Sequence, residues 1–202
     1  MTITDSIADD YYNDPKKMGY DLALCINNEV KALSKAGCQY IQIDEPVFAR
    51  KPDETHDYGM ENLERAMHGI LKETQRACHI CCGYPNSLDS EHYKKADLDA
   101  YDKIADLVED SSIDEVSLED SHRPIDLKLL EKFKKTRVIM GLIDVAKSRM
   151  ESVEEVQERI REVLEHIDEE RLIAAPDCGL GFFDRNQAKQ KMQILSKAVK
   201  NL

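Results

Sequence analysis

Apolar residues recur along this chain in two spacings, and the two spacings alternate. Residues 40–44 and 115–119 are apolar at every second position, which predicts β-strands, because side chains alternate between the two faces of a strand. Longer stretches with apolar residues three and four apart predict helices, and the first begins at a capping Asp14-Pro15. Further strands are predicted at 76–82, 138–143 and 172–176, and further helices at 62–74, 98–108, 127–133, 152–167 and 187–199.

The alternation of strand and helix predicts an α/β fold with parallel strands joined by right-handed crossovers. Residues 1–7 carry Ile3 and Ile7 and are interpreted as the end of one more strand, so we expect about six strands. Low-complexity linkers and charge blocks are absent from the sequence. Residues 1–202 are therefore expected to form a single domain.

Polar or metal-binding residues follow each predicted strand. In a β/α barrel or an open α/β sheet, the carboxyl ends of the strands form the edge where ligands bind. Residues far apart in the sequence would meet there. They are Asp44-Glu45, His79 with Cys81, Glu119-Asp120, Asp144, and Asp177-Cys178.

His79 and Cys81 lie two residues apart, so a strand would place both on one face. With Cys178, and with Glu119 as a possible fourth ligand, they offer one nitrogen, two sulfurs and one oxygen. Zinc is the metal that fits this set. Cys82 has the wrong parity to share the site. A zinc-bound thiol loses its proton near neutral pH, so we expect a substrate thiolate to attack an alkyl carbon.

Other histidines and cysteines receive simpler interpretations. His122 follows Glu119 closely and could lie beside the ligands. Cysteine is often a small buried hydrophobe, which is expected of Cys25, Cys38 and Cys78. The histidines expected to be solvated are His56, His68, His92 and His166.

Composition narrows the choice of partners and compartment. Hydrophobic residues make up 42% of the chain and charged residues 34%, as in ordinary globular proteins. A formal net charge of -12 argues against nucleic acid or an anionic membrane surface as a partner. No apolar run reaches membrane-spanning length, and the first residues lack the pattern of a signal peptide. We therefore expect a cytoplasmic protein.

Four separated motifs resemble the catalytic domain of cobalamin-independent methionine synthase, in the same order. They are Ile41-Gln42-Ile43-Asp44-Glu45-Pro46, His79-Ile80-Cys81, Ser117-Leu118-Glu119-Asp120-Ser121 and Pro176-Asp177-Cys178-Gly179-Leu180. The resemblance covers nearly the whole chain. It implies a TIM-type (β/α)8 barrel and methyl transfer to the thiol of homocysteine, which gives methionine.

The resemblance also implies roles for individual residues. His79, Cys81, Glu119 and Cys178 would hold a catalytic Zn2+. Asp44 would bind the amino group of homocysteine. Asp44 and Glu119 are the catalytic candidates, and the substrate-binding candidates are Asp44, Glu45 and Asp177.

Two departures from the family pattern matter. About six strands fall short of the eight that a barrel needs. Met1 is therefore interpreted as an internal methionine of a longer barrel, and a partner chain or self-association is expected to cover the open edge. The family's full-length members carry Asp-x-His where this chain has Asp144-Val145-Ala146. Alanine cannot transfer a proton, so the methyl donor stays open between methyltetrahydrofolate and a methyl-corrinoid.

Two alternatives remain at this stage. One is a related zinc thiol alkyltransferase of the epoxyalkane:coenzyme M type. The other is an inactive or partner-dependent barrel fragment.

Overall fold

In the part of the chain that the structure describes, five parallel strands form one sheet, and their order in the sheet is their order in the chain. The structure is a computed structural model that describes residues 1–90 and 93–202. An unbroken sequential order is the arrangement of a β/α barrel, since a doubly wound sheet reverses its order at a switch point. The α/β prediction is confirmed, and the sheet is an incomplete TIM-type barrel. The strands are β1 (Tyr40–Asp44), β2 (Gln75–Ile80), β3 (Glu115–Leu118), β4 (Arg137–Ile143) and β5 (Leu172–Pro176).

Helices connect the strands and cover the outer face of the sheet. The helices are α1 (Thr2–Ser6), α2 (Pro15–Lys35), α3 (Pro52–Glu54), α4 (Met60–Met67), α5 (Ala100–Asp110), α6 (Val153–Leu164) and α7 (Arg185–Lys200), with a π-helical turn at Thr55–Gly59 and 3₁₀ turns at Leu127–Lys132 and Glu169–Arg171. The two predicted helix starts are confirmed. Asp14 accepts hydrogen bonds from the backbone of the first turn of α2, and Ser152 with Glu155 forms a capping box on α6.

The strand end predicted within residues 1–7 is wrong, because residues 2–6 form helix α1, so the described residues hold five strands. A tertiary contact explains the difference. The Glu45 carboxylate accepts hydrogen bonds from the Met1 ammonium at 2.9 Å and from the Thr2 N–H at 3.0 Å. An acidic group at a helix N-terminus satisfies free N–H groups and is favoured by the helix dipole. Nothing in residues 1–7 alone reveals that partner.

The helix predicted at 62–74 ends earlier, at Met67. His68 is extended and Gly69 has a φ of 71°, a left-handed conformation that terminates the helix. Asn27 of α2 donates hydrogen bonds to the carbonyls of Ala66 and His68, which fixes the turn.

Lys191 of α7 is a fully buried cation that fixes the connection after β4. Its Nζ lies 3.0 Å from both carboxylate oxygens of Glu151, and it donates to the carbonyls of Asp144 and Arg149. Glu151 in turn accepts the N–H of Asp144 at 3.0 Å. The pair is well satisfied, which is the condition for burying charges without a large penalty. It holds Asp144 at the carboxyl edge of the sheet.

Strands β1 and β5 have one neighbour each in the sheet built from residues 1–90 and 93–202. Eight strands close a β/α barrel, so both outer edges remain open here. Within the same residues, no helix combines the length and the apolar character needed to cross a membrane. The interpretation of His92 as a solvated histidine falls outside the described residues.

Candidate metal centre

Four predicted site residues meet at the carboxyl edge of the sheet. Ligand atoms of His79, Cys81, Glu119 and Cys178 all lie within 4.8 Å of one another. His79 belongs to β2, while the other three follow the ends of β2, β3 and β5. The fold therefore assembles one site from residues about 100 positions apart.

His79 is oriented by a neighbour on the next strand. The register of β2 with β3 pairs His79 with Ser117, and Nδ1 lies 2.8 Å from the Ser117 hydroxyl. The other ring nitrogen, Nε2, is buried and has no hydrogen-bond partner among the described residues. A buried polar atom without a partner is costly. Metal-binding histidines commonly use one ring nitrogen for a hydrogen bond and the other for the metal. His79 therefore fits a metal ligand.

Glu119 is held by two contacts from β2 and α5. Its Oε2 accepts the N–H of Cys82 at 2.7 Å, and its own N–H donates to the Tyr101 hydroxyl at 3.0 Å. The same hydroxyl donates to the carbonyl of Ile80 at 2.7 Å. Tyr101 thus joins the ends of β2 and β3 and fixes the backbone of Glu119, while the Cys82 N–H orients its carboxylate.

The surroundings shift the pKa values of the four clustered side chains in different directions. The hydrogen bond from the Cys81 thiol lowers the pKa of Cys178 to about 4, helped by His79 and opposed by burial. The same bond, with burial, raises the pKa of Cys81. Burial raises the pKa of Glu119 to about 7. Burial lowers the pKa of His79, but neighbouring Cys178 and Glu119 raise it by more. The contact between the two sulfurs therefore favours the thiolate at Cys178 and the protonated thiol at Cys81.

Asp177, at the end of β5, holds the loop that follows Glu119. Its side chain is fully buried. Oδ1 accepts the N–H groups of Asp120 at 3.0 Å and Ser121 at 2.9 Å. Oδ2 accepts the His122 N–H at 2.8 Å and lies 2.9 Å from His122 Nδ1. All its oxygens are thus engaged with residues 120–122, which favours a supporting role over direct contact with substrate.

A glycine makes room for that carboxylate. A Cβ at Gly141 of β4 would lie 2.7 Å from Asp177 Cα and 3.1 Å from the Leu118 carbonyl oxygen. Real Cβ atoms essentially never approach so closely. Glycine inside a strand commonly marks such an approach of a neighbouring segment.

The loop is held from a second side by a buried ion pair. Arg159 of α6 contacts both carboxylate oxygens of Asp120 at 2.7 Å, a bidentate geometry. Asp120 is 1% exposed. Residues after Glu119 are therefore fixed by β5 and by α6 together.

The other predicted substrate residues occupy different positions. Asp44 pairs in register with His79, is exposed at the edge of the sheet and accepts a hydrogen bond from Gln42 at 2.8 Å. Glu45 is bonded to Met1 and Thr2, so its carboxylate is occupied by α1. The predicted substrate contacts of Asp44, Glu45 and Asp177 stay predictions. The Cys82 thiol accepts from Arg123 at 3.0 Å and lies outside the cluster of four.

Aromatic side chains surround the cluster. The rings of Tyr84 and Phe182 stack at 4.9 Å, and the Tyr84 hydroxyl donates to the Gly179 carbonyl beside Cys178. Tyr93 lies 6.5 Å from the His122 ring, centroid to centroid. Burial raises the pKa of its phenol, and the charges of Asp144, Glu119 and Asp177 add to the rise. Tyr93 therefore stays protonated beside these acids.

Sequence reasoning missed Tyr101, Gly141 and the Asp120–Arg159 pair. Gly141 did carry a signal, since it is a glycine within a strongly apolar strand. Tyr101 and Arg159 carried none, because each lies on a predicted helix and acts through a tertiary contact.

A parallel β/α sheet in barrel order, with a histidine, two cysteines and a glutamate clustered at its carboxyl edge, defines a class of barrel proteins with a candidate metal site at the ends of their strands. The family model described as "Cobalamin-independent synthase, Catalytic domain" matches residues 1–201. The chain belongs to this family, and the resemblance inferred from its motifs is confirmed.

Named relatives agree with this assignment. A methionine synthase of Thermococcus kodakarensis is 35% identical over 199 residues, which cover 98% of this chain and 54% of the relative. A methionine synthase of Pyrococcus horikoshii is 33% identical over 199 residues, covering 98% and 53%. The structure of a B12-independent methionine synthase from Shewanella sp. W3-18-1, solved with selenomethionine, is 32% identical and superposes with a TM-score of 0.88 over 99% of this chain and 59% of its own. The chain spans just over half the length of these methionine synthases.

Replacement of Gly141 by alanine tests the tight approach of β4 to Asp177. We expect Gly141→Ala to lower the free energy of unfolding by about 1–3 kcal/mol, because the new Cβ forces Asp177 and Leu118 apart. Chemical denaturation followed by circular dichroism would measure it. Gly181→Ala is the matched control, since its Cβ would meet nothing closer than 3.9 Å. Equal stabilities for the two variants would contradict this account.

Proposed function

We propose that the chain is the catalytic domain of a cytoplasmic, zinc-dependent methyltransferase that methylates the thiol of homocysteine to form methionine. The observation that carries the proposal is the cluster of His79, Cys81, Glu119 and Cys178 at the carboxyl edge of a barrel of this family. The names of its relatives support the substrate, since several are methionine synthases.

The four side chains suit zinc by chemistry as well as by position. One imidazole nitrogen, two sulfurs and one carboxylate oxygen are four donors of the kinds that zinc accepts. Bound zinc would lower the pKa of a substrate thiol and favour its thiolate. Glu119 would be the weakest of the four ligands for a borderline-soft metal, so it is the residue whose place a substrate sulfur would take most readily. The Cys82 N–H orients its carboxylate, and the Tyr101 hydroxyl holds its backbone.

Asp44 gives the site a group for the amino end of homocysteine. It is exposed at the edge of the sheet on the strand next to His79, and Gln42 orients its carboxylate. A carboxylate there attracts an ammonium group and repels a sulfonate such as that of coenzyme M. The choice of homocysteine over that alternative rests on this difference.

The choice of methyl donor depends on whether its leaving group needs a proton. The homocysteine sulfur forms a bond to the methyl carbon as the bond between that carbon and the donor breaks, and the thiol proton departs. A folate nitrogen needs a proton when it leaves, whereas a Co(I) corrinoid leaves with the electron pair alone. Position 146 is a buried alanine, which cannot supply that proton. We therefore favour a methyl-corrinoid over methyltetrahydrofolate.

The open edges of the sheet need cover for this function. β1 and β5 expose unpaired backbone groups, a situation that proteins normally avoid. Ile3 of α1 and Tyr40 of β1 are 43% and 44% exposed. We propose that a partner chain or a second copy of this chain covers these edges.

Metal analysis of the purified chain tests the zinc. We expect one zinc per chain by atomic emission and its loss in Cys81→Ser, because serine replaces a thiolate ligand by a poor one. Proton release on zinc uptake is expected as well, since the pKa of Cys81 is raised and that of Glu119 is raised to about 7, so both groups lose bound protons when they become ligands. Cys25→Ser is the matched control, because Cys25 is exposed and outside the cluster. A folded wild-type chain without metal after zinc reconstitution would refute the assignment.

Product analysis tests the reaction. We expect the zinc-loaded chain to form methionine from homocysteine and methylcobalamin, measured by mass spectrometry, at least about tenfold faster than from methyltetrahydrofolate. The expectation follows from the missing proton donor, because one general acid typically contributes a factor of 10²–10⁴. Cys81→Ser should form no methionine. Methylation of 2-mercaptoethanesulfonate in place of homocysteine would favour the coenzyme M type of enzyme.

Light scattering tests whether another chain covers the open edges of the sheet at β1 and β5. Expression with no other protein should give a dimer or a larger assembly, or else an unstable chain that a partner stabilises. The physical reason is the pair of unpaired strand edges. A stable monomer with one cooperative thermal transition would show that no cover is needed.

A further inference from the structure

Tyr84 links two parts of the site that are not neighbours in the sheet. It lies three residues after Cys81 and follows β2, whereas Cys178 follows β5, and β3 and β4 separate these strands. The Tyr84 hydroxyl donates to the Gly179 carbonyl at 2.8 Å, and its ring stacks on Phe182 with centroids 4.9 Å apart and ring planes 20° apart. These contacts therefore cross the carboxyl edge of the barrel directly.

The segment that carries Tyr84 is itself fixed from the other side. The N–H of Ala96 donates to the Cys82 carbonyl at 2.7 Å. Gly83 has a φ of 151°, and a Cβ there would collide with the Lys94 carbonyl oxygen. Only glycine allows both this backbone conformation and so close an approach. The neighbouring backbone thus fixes the direction in which the chain reaches Tyr84.

Cys178 lies between two anchors. Asp177, just before it, binds the loop after β3, and Gly179 and Phe182, just after it, bind Tyr84. Strand β5 has one neighbour in the described sheet, and its residues are only half-buried. The contacts on either side of Cys178 therefore position it more than the sheet does.

The position of Cys178 decides whether both sulfurs reach one metal. A Zn–S bond is about 2.3 Å long, so a sulfur displaced by about 1 Å or more is no longer a ligand. Cys81 directly follows β2, which has a neighbouring strand on each side. Loss of the Tyr84 contacts should therefore affect Cys178 and leave Cys81 in place.

We propose that Tyr84 is a positioning residue of the metal centre, whose hydroxyl and ring hold the segment after β5 so that Cys178 binds the same metal as Cys81. The inference rests on the proposed function and adds to it a residue outside the four ligands. Tyr84 acts on the metal only through Cys178.

Cobalt(II) spectra of the full chain test the proposal. Cobalt replaces zinc in sites with sulfur ligands, and its charge-transfer absorption in the near ultraviolet grows with each bound thiolate. We expect Tyr84→Ala to lose about half of this absorption at saturating cobalt, as Cys178→Ser does, because one of two thiolates leaves the metal. Its affinity for zinc, measured by competition with a chelator, should fall about tenfold or more.

Two further variants complete the test. Tyr84→Phe keeps the ring on Phe182 and loses only the hydroxyl. It should therefore retain the full absorption and lose about threefold in zinc affinity. Tyr11→Ala removes a tyrosine that is 86% exposed and should match the wild type in both measurements.

Full cobalt absorption in a folded Tyr84→Ala would overturn the role of Tyr84, even with lower stability, because a merely structural contact gives that result. Should Tyr84→Ala not fold by circular dichroism, Tyr84→Phe decides, and a zinc affinity equal to that of the wild type would overturn the role. If the wild-type chain binds neither metal, the proposed function fails and this inference fails with it.

Discussion

The carboxylate of Asp177 is the contact on which the rest of the site depends. It stands at the end of β5, and it binds three consecutive backbone N–H groups and one ring nitrogen from the loop after β3. Hydrogen bonds to a charged and buried group are among the strongest in proteins. The neighbouring residue, Cys178, and the residue before the loop, Glu119, are both members of the cluster. One carboxylate thus sets the distance between two candidate ligands from different strands.

All four clustered residues come from β2, β3 and β5 or from the residues just after them. β2 and β3 lie inside the described sheet, whereas β5, which precedes Cys178, is one of its two edge strands. Three of the four clustered residues therefore stand on or just after interior strands, and Cys178 stands beside an open edge. Asp44 sits on the other edge strand, β1, and is exposed. Cover at β5 therefore bears on the cluster, and cover at β1 bears on Asp44.

Much of the fold could be predicted from the sequence, because it follows from the local spacing of apolar residues and from capping residues. Alternation identified β1 and β3, capping residues located the starts of α2 and α6, and strand ends located His79, Cys81, Glu119 and Cys178. The failures have one physical cause. Residues 2–6 became a helix because Glu45, more than forty positions away, accepts their N–H groups. Helix α4 ends earlier than predicted because the Asn27 side chain donates hydrogen bonds to the carbonyls of Ala66 and His68. Long-range contacts of single side chains leave no periodic signal.

The hydrogen bond from the Cys81 thiol to the Cys178 sulfur has a consequence for the chain without metal. A thiolate beside a thiol is the reactive pair of thiol–disulfide chemistry, and the thiolate is the form that oxidants attack. Oxidation would join the two sulfurs and remove half of the donor set in one step. A bound metal would occupy both sulfurs and block that reaction. The chain with bound metal and the chain without it would therefore differ in how easily the two thiols are oxidised. A reducing compartment would keep the thiols of the metal-free chain able to bind metal.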